Sequence, residues 1–146
     1  MKVCIAGSRD FDDYEFLVEQ CENVLFPYHT DDIEEFISGG AQGVDHYGEL
    51  YVRSKWYREP TVMRPAYYHY DEDHKWKAPL DRNEEMAIRL DGGMLIAFLP
   101  ASQSTLTRAG TSHHLWETRG GTTNMIMHAL HPVSYTHLTL PTTSFV

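Results

Sequence analysis

Three glycine-rich segments contain the residue types and spacings that could do chemistry in this sequence. Each lies where a predicted strand ends, and they are Gly7–Phe11, Gly39–Asp45 and Gly120–Thr122. Glycine allows backbone N–H groups to approach an anion closely, and the N-terminus of a following helix favours negative charge. Ligands of open parallel sheets bind at the carboxyl ends of the strands. The three segments together predict a phosphate-binding site, although each alone could be only a tight turn.

Arg82 and Asn83 are the predicted ligand contacts outside the glycine segments. They are expected to open the third helix, where the helix dipole disfavours a cation. Arg82 is therefore expected to point across a cleft towards a phosphate or carboxylate. The alternative is a surface ion pair with Asp81 or Glu85. The residues predicted to bind the ligand are Gly7, Ser8, Arg9, Gly39, Gly40, Ala41, Gly43, Asp45, Arg82, Asn83, Gly121 and Thr122.

Two carboxylates are candidates for a catalytic acid or base. Asp45 lies in the first turn of the predicted second helix, where a carboxylate is stabilised by the dipole without any catalytic task. It could equally bind a ribose hydroxyl, and Glu117 is the other candidate. The histidine- and aspartate-rich stretch 69–74 matches no zinc or calcium spacing. No metal and no required cofactor are therefore predicted.

Strands and helices alternate along the chain and must bring these segments together. The predicted strands are Val3–Ala6, Ile33–Ser38, Thr61–Met63 and Met94–Leu99, with a last strand opening at Pro132. The predicted helices begin after an Asp12 cap, run from Gln42 to Trp56 and from Asn83 to Leu90, and begin again after a Thr122 cap, while 66–79 is predicted to be a long loop. This alternation predicts a three-layer α/β, Rossmann-like domain with a mainly parallel sheet.

Composition limits the classes of partner. The 146 residues include 12 Lys+Arg against 21 Asp+Glu, a formal net charge of −9, which disfavours non-specific nucleic-acid binding. The two cysteines, Cys4 and Cys21, are predicted to be buried free thiols. The first residues predict no signal peptide, and no run is long enough to span a membrane. A cytoplasmic location is expected, and a homo-oligomer is left open.

Four motifs, in their order and spacing, resemble one protein superfamily. They are G-S-R-D-F from Gly7, S-G-G-A-Q-G-V-D from Ser38, R-N-x-x-M from Arg82 and G-T-x-x-M from Gly121. Together they resemble the SLOG superfamily, in its YspA-like, cpYpsA-related branch, over roughly residues 2–133. The resemblance implies a Rossmann-like fold that binds nucleotides or nucleotide-derived ligands. It also implies a sensor or processing factor of bacterial or phage systems.

The same superfamily includes LOG-type phosphoribohydrolases, which cleave the N-glycosidic bond of nucleoside monophosphates. Their R-K-x-x-M motif is matched at Arg82 and Met86, with Asn83 in place of the lysine. Their catalytic glutamate would fall at Met125, or at His114 in the alternative register. Because methionine can act neither as an anion nor as a base, LOG chemistry is not expected.

Two alternatives to simple ligand binding stay open. One is a nucleotide hydrolase that cleaves an N-glycosidic or phosphoester bond, with Asp45 or Glu117 as its acid or base. The other is nucleic-acid binding like that of DprA, which shares the superfamily fold. The net charge of −9 disfavours the second alternative.

The last residues differ in character from the rest of the chain. Segment 133–146 resembles a translated sequencing adapter of the kind that ends metagenomic open reading frames. We therefore expect one native domain over 1–132 and a non-native tail over 133–146, which is left out of the site prediction.

Overall fold

A parallel sheet forms the centre of the protein. The computed structural model describes residues 1–98, residue 125 and the backbone of 135–139. In this part of the chain the strands are β1 (Lys2–Gly7), β2 (Glu35–Ser38), β3 (Thr61–Val62), β4 (Met94–Phe98) and β5 (Tyr135–Thr139). They join in the order β3-β2-β1-β4-β5, and every neighbouring pair is parallel. The predicted α/β Rossmann-like fold is confirmed.

Helices cover both faces of the sheet. The described helices are α1 (Tyr14–Leu25), α2 (Val44–Tyr51), which continues into a π-helical turn over Val52–Trp56, and α3 (Lys77–Leu90). Along β1, Val3 and Ile5 pack in the core with α1 and α2, whereas Cys4 and Ala6 pack with α3. Alternate residues of a strand face opposite sides, so the single strand β1 contributes to both cores. The three layers follow directly from this alternation.

The strand order places a switch point between β1 and β4. The helices after β1 and β2 lie on one face, and α3, which precedes β4, lies on the other. Gly7 and Phe98 are partners at the carboxyl ends of these two strands. Because the connections leave in opposite directions there, this edge is where ligands of doubly wound sheets bind. The first glycine-rich segment begins here, at Gly7, and the second begins at the carboxyl end of β2, the neighbour of β1 on its other side.

The start of α1 lies one residue later than predicted. Asp13, rather than Asp12, is the N-cap, and its carboxylate accepts a hydrogen bond from the N–H of Phe16 at 3.1 Å. The predicted Asp12 cap is therefore wrong. Adjacent aspartates have the same capping propensity, so the sequence alone does not distinguish them.

The prediction of a long loop over 66–79 is wrong in part. The segment contains 3-10 turns at Tyr67–His69 and Glu72–His74, and α3 already begins at Lys77. Pro79 is the third residue of α3, where a proline interrupts no helical hydrogen bond. Arg82 and Asn83 therefore lie in the second turn of α3 rather than at its start. The dipole argument for the orientation of Arg82 does not hold.

The remaining predictions on the chain have mixed outcomes. Cys4 and Cys21 are buried free thiols, as predicted, and burial raises the pKa of both. In the described residues no helix has the length and apolar character to cross a bilayer. The predicted helix after Thr122 lies outside the described residues except for Met125, which is helical and buried. Strand β5 falls within the segment predicted to be a non-native tail.

Candidate functional site

The first two glycine-rich segments touch each other at the carboxyl edge of the sheet. Gly43 has a φ of +73°, and a Cβ added there would lie 2.3 Å from the carbonyl oxygen of Ser8. The N–H of Val44 donates to the same oxygen at 3.2 Å. Only glycine fits this contact and this backbone conformation. The start of α2 is thereby fixed against the segment that follows β1.

Replacing Gly43 by alanine should destabilise the protein by about 1–3 kcal/mol, because it adds both backbone strain and a clash with Ser8. Gly92 is the matched control, since its φ is +76° but a Cβ there meets no atom within 4 Å. Gly92→Ala should cost only about 1 kcal/mol. Chemical denaturation of both variants tests this, and equal losses would show that the contact with Ser8 has no effect.

Two carboxylates of α2 hold the segment Gly39–Gly43, which we call the glycine loop. Asp45 Oδ2 accepts a hydrogen bond from the N–H of Ala41 at 3.1 Å. One turn later, Glu49 Oε2 accepts from the hydroxyl of Ser38 at 2.6 Å, and that hydroxyl accepts from the N–H of Gly40 at 3.1 Å. Residues four apart share one face of a helix, which is why both carboxylates reach the loop.

This arrangement determines which backbone donors remain for a ligand. The N–H groups of Gly40 and Ala41 are already used inside the protein. In contrast, within residues 1–98 the N–H groups of Gln42, Gly43 and His46 donate no hydrogen bond. These donors lie at the N-terminus of α2, where backbone groups favour an anion. An anionic ligand therefore fits the second half of the glycine loop better than the first half.

Arg82, a residue of α3, supports the glycine loop through hydrogen bonds. Its side chain is 8% exposed. Nη1 donates to the carbonyl oxygens of Gly39 and of Met63, the latter at 3.2 Å, and Nε donates to Asn83 Oδ1 at 3.0 Å. The alternative of a surface ion pair with an acidic neighbour on α3 is wrong. Arg82 joins α3 to the chain after β2 and after β3, and burial lowers its pKa although a guanidinium stays charged.

Three arginines border the glycine loop without an acidic partner among the described residues. Arg64 Nη1 donates to the carbonyl oxygen of Gly40 at 2.9 Å, and Arg9 lines the cleft above the loop. Neither of these nor Arg82 forms an ion pair there, whereas Arg53 and Arg89 each pair with a glutamate. Positive charge that is not held in a direct ion pair favours an anionic ligand.

Asp45 is a buried carboxylate next to these arginines. It is 6% exposed. Burial raises its pKa from 3.8 to about 6, although the Ala41 N–H, Arg82 and Arg9 all lower it, while Glu49 raises it. A Cβ on Gly39 would lie 2.7 Å from Arg82 Nη1 and 2.8 Å from Asp45 Oδ2. The two charged groups thus flank Gly39 without forming a direct ion pair.

An open cleft of about 590 Å³ lies above the glycine loop. Its walls are the segments 9–12 and 40–43, together with His46 and Tyr47 of α2. The ring centroids of His46 and Tyr47 are 5.3 Å apart on the far wall, whereas the segment 9–12 brings one cation, Arg9, and two acids, Asp10 and Asp12, to the cleft. This volume suits a nucleotide-sized molecule.

Sequence and structure agree only in part on the site residues. Gly7, Ser8, Arg9 and the glycine loop are brought together with Asp45 and Arg82. Glu117, Gly121 and Thr122 lie outside the described residues. The sequence analysis missed the contributions of three residues: Ser38, Glu49 and Arg64. The available signals were the spacing of four between the α2 carboxylates and the position of an arginine directly after the third strand.

The histidine- and aspartate-rich stretch 69–74 forms a local pair. His74 Nδ1 lies 2.5 Å from Asp71 Oδ1 on the surface. Across the residues that the structure describes, no group of three or more histidine, cysteine, aspartate or glutamate side chains is arranged to hold a metal ion. The chemistry available at the site is therefore that of backbone donors, arginines and the Asp45 carboxylate.

Comparisons of this chain with known protein families, characterised proteins and solved structures give no match. The functional interpretation accordingly depends on the site geometry. That geometry consists of a glycine loop at the carboxyl edge of a parallel sheet, three arginines that form no direct ion pair within the described residues, and a buried carboxylate that two of them attract.

Proposed function

We propose that the protein binds a nucleotide or nucleotide-derived phosphate ligand at the carboxyl edge of β1 and β2. The supporting observation is the gathering of Arg9, Arg64 and Arg82 at one glycine loop, without acidic partners in the described residues, in a chain of net charge −9. A role as a sensor or processing factor, as the SLOG resemblance implies, belongs to the same proposal. The cytoplasmic location and a homo-oligomer stay predictions.

The proposed contacts divide the ligand into two parts. The phosphate accepts hydrogen bonds from the N–H groups of Gln42 and Gly43, and the exposed guanidinium groups of Arg9 and Arg64 neutralise it. The ribose and base extend into the cleft along His46 and the adjoining tyrosine, where an aromatic wall suits stacking. Asn83 and the Gly121–Thr122 turn stay predicted contacts. Arg82 acts on the ligand by holding the loop.

A panel of nucleotides should raise the thermal midpoint of the protein, because a ligand that binds the folded state stabilises it by about 2.7 kcal/mol at a hundredfold excess over Kd. Arg64→Gln should weaken that binding about tenfold, since a charged hydrogen bond contributes roughly 1.5 kcal/mol. Arg89→Gln is the matched control, because Arg89 pairs with Glu35 at the amino end of β2, away from the cleft. A midpoint unmoved by every nucleotide would contradict the proposal.

A hydrolase is the second candidate function, and Asp45 is the residue that favours it. Burial raises its pKa to about 6, which suits a group that exchanges a proton near neutral pH. In this proposal Asp45 is the acid or base for cleavage of an N-glycosidic or phosphoester bond, and Glu117 is its alternative. Release of free base or inorganic phosphate from a nucleotide, abolished in Asp45→Asn, would distinguish hydrolysis from binding.

A further inference from the structure

The Asp45 carboxylate lies close to the proposed phosphate position. Its Oδ2 accepts the N–H of Ala41, and Gln42 and Gly43, whose N–H groups remain available, follow directly in the chain. Asp45 is a buried residue, and its carboxylate is held by a loop that Glu49 and Arg82 also fix. It therefore has little freedom to move away when an anion arrives.

A negative ligand and a negative Asp45 cannot both be stabilised in full by the same cations. Coulombic attraction from Arg9 and Arg82 favours the ionised form of Asp45, and a bound anion would compete for that attraction. Two like charges held near each other repel, and the repulsion is stronger where one of them is buried away from water. Protonation of the carboxyl removes the repulsion and leaves the loop geometry in place.

We propose that the site binds its anionic ligand together with a proton, which is taken up from solvent by the carboxylate of Asp45. This inference rests on the proposed phosphate site and adds its regulation. Ligand affinity then rises as pH falls, and ligand binding in turn favours the protonated carboxyl, because linkage between two binding events is reciprocal. The protein would release the ligand in alkaline conditions and retain it in mildly acidic ones.

The groups around Asp45 are consistent with this coupling. Glu49 lies one turn along α2 and raises the pKa of Asp45, Arg9 faces it from the segment after β1, and Arg82 faces it from α3. The thiol of Cys4 in β1 also interacts electrostatically with Asp45. Burial raises the pKa of that thiol, so it stays neutral. Because burial holds the pKa of Asp45 at about 6, a small further rise on ligand binding changes its charge near neutral pH.

Sulfate is the appropriate probe, because it remains a dianion throughout the relevant range and brings no proton of its own. Its affinity for the wild type, measured by thermal shift between about pH 5 and about pH 8, should fall on the order of tenfold as pH rises. In Asp45→Asn the affinity should be independent of pH. Asp31→Asn is the control, since Asp31 is an exposed carboxylate outside the cleft, and it should retain the pH dependence of the wild type.

A second measurement does not depend on the folding of a variant. The ¹³C signal of the Asp45 carboxyl should titrate at higher pH when sulfate is present than when it is absent. An unchanged titration, or a pH dependence that persists in Asp45→Asn, would overturn the coupling. If sulfate and nucleotides bind with pH-independent affinity, the coupling fails and the proposed function stands. If neither binds at any pH, both fail.

Discussion

Replacing Arg82 by alanine should lower the free energy of unfolding by about 3–5 kcal/mol, one of the two largest effects that we expect. Arg82 is buried, and its guanidinium donates to the carbonyl oxygens of Gly39 and Met63. Alanine would leave these oxygens without that donor and would remove the packed stem of the side chain. Denaturation in urea, with the variant compared to the wild type, measures the loss.

Two matched substitutions separate the structural role of Arg82 from its charge. Arg82→Lys keeps the positive charge but replaces the several N–H donors of the guanidinium by one ammonium group. It should therefore recover less than half of the unfolding free energy that Arg82→Ala loses. Arg64→Ala removes an exposed guanidinium that also donates to the glycine loop, and its cost should stay below about 1 kcal/mol. A loss in Arg82→Ala no larger than that in Arg64→Ala would contradict the supporting role of Arg82.

Replacing Asp45 by asparagine should stabilise the protein at about pH 8, by up to roughly 3 kcal/mol. The folded protein raises the pKa of Asp45 from 3.8 to about 6, a shift of about two units that corresponds to roughly 3 kcal/mol. A carboxyl whose pKa is raised on folding destabilises the protein once it is ionised. The cost is absent below about pH 4, grows as pH rises towards 6 and is then constant. Asparagine removes it and can still accept the Ala41 N–H through its amide oxygen.

The stabilisation by Asp45→Asn should therefore shrink on acidification and vanish near pH 4. Unfolding free energies of variant and wild type across this range measure the difference. Asp12→Asn is the control, because Asp12 is exposed and accepts no hydrogen bond among the described residues, and it should leave the pH profile unchanged. If Asp45→Asn instead destabilises the protein equally at all pH values, the hydrogen bond from Ala41 outweighs the burial of charge.

The expected cost of Asp45 bears on its function. A carboxylate that destabilises the folded state and lies beside a cleft is typical of functional groups rather than of structural ones. A purely structural partner for the Ala41 N–H would not need a charge. The two proposals for Asp45, proton-coupled binding and hydrolysis, both use that charge. They differ in whether the ligand is released intact.

The fold follows from the sequence because strand and helix patterns alternate clearly. The apolar run Met94–Phe98 is buried at every position, and its central place in the sheet agrees with the interpretation of a fully buried strand. The prediction from sequence was wrong where loop and helix signals conflict. Pro79 and the aromatic residues before it indicate a loop, yet α3 begins at Lys77, because a proline in the first helical turn is tolerated.

The site could be predicted only as far as backbone geometry requires particular residues. Gly43 has a positive φ and a close approach to Ser8, and a glycine-rich segment between a strand and a helix indicates such positions in the sequence. The orientation of Arg82 could not be predicted, because a ligand phosphate and a backbone carbonyl attract a guanidinium in the same way. The burial of Asp45 could not be predicted either, because it depends on how α3 packs against the loop after β2.

Backbone amide NMR with added adenosine monophosphate tests the central claim most directly. If the second half of the glycine loop binds the phosphate, the largest chemical-shift changes should occur at the N–H groups of Gln42, Gly43 and His46. They should saturate with nucleotide concentration and weaken in Arg64→Gln but not in Arg89→Gln. Changes confined to other surfaces, or saturable binding that leaves these three amides unmoved, would contradict a phosphate site at the carboxyl edge of β1 and β2.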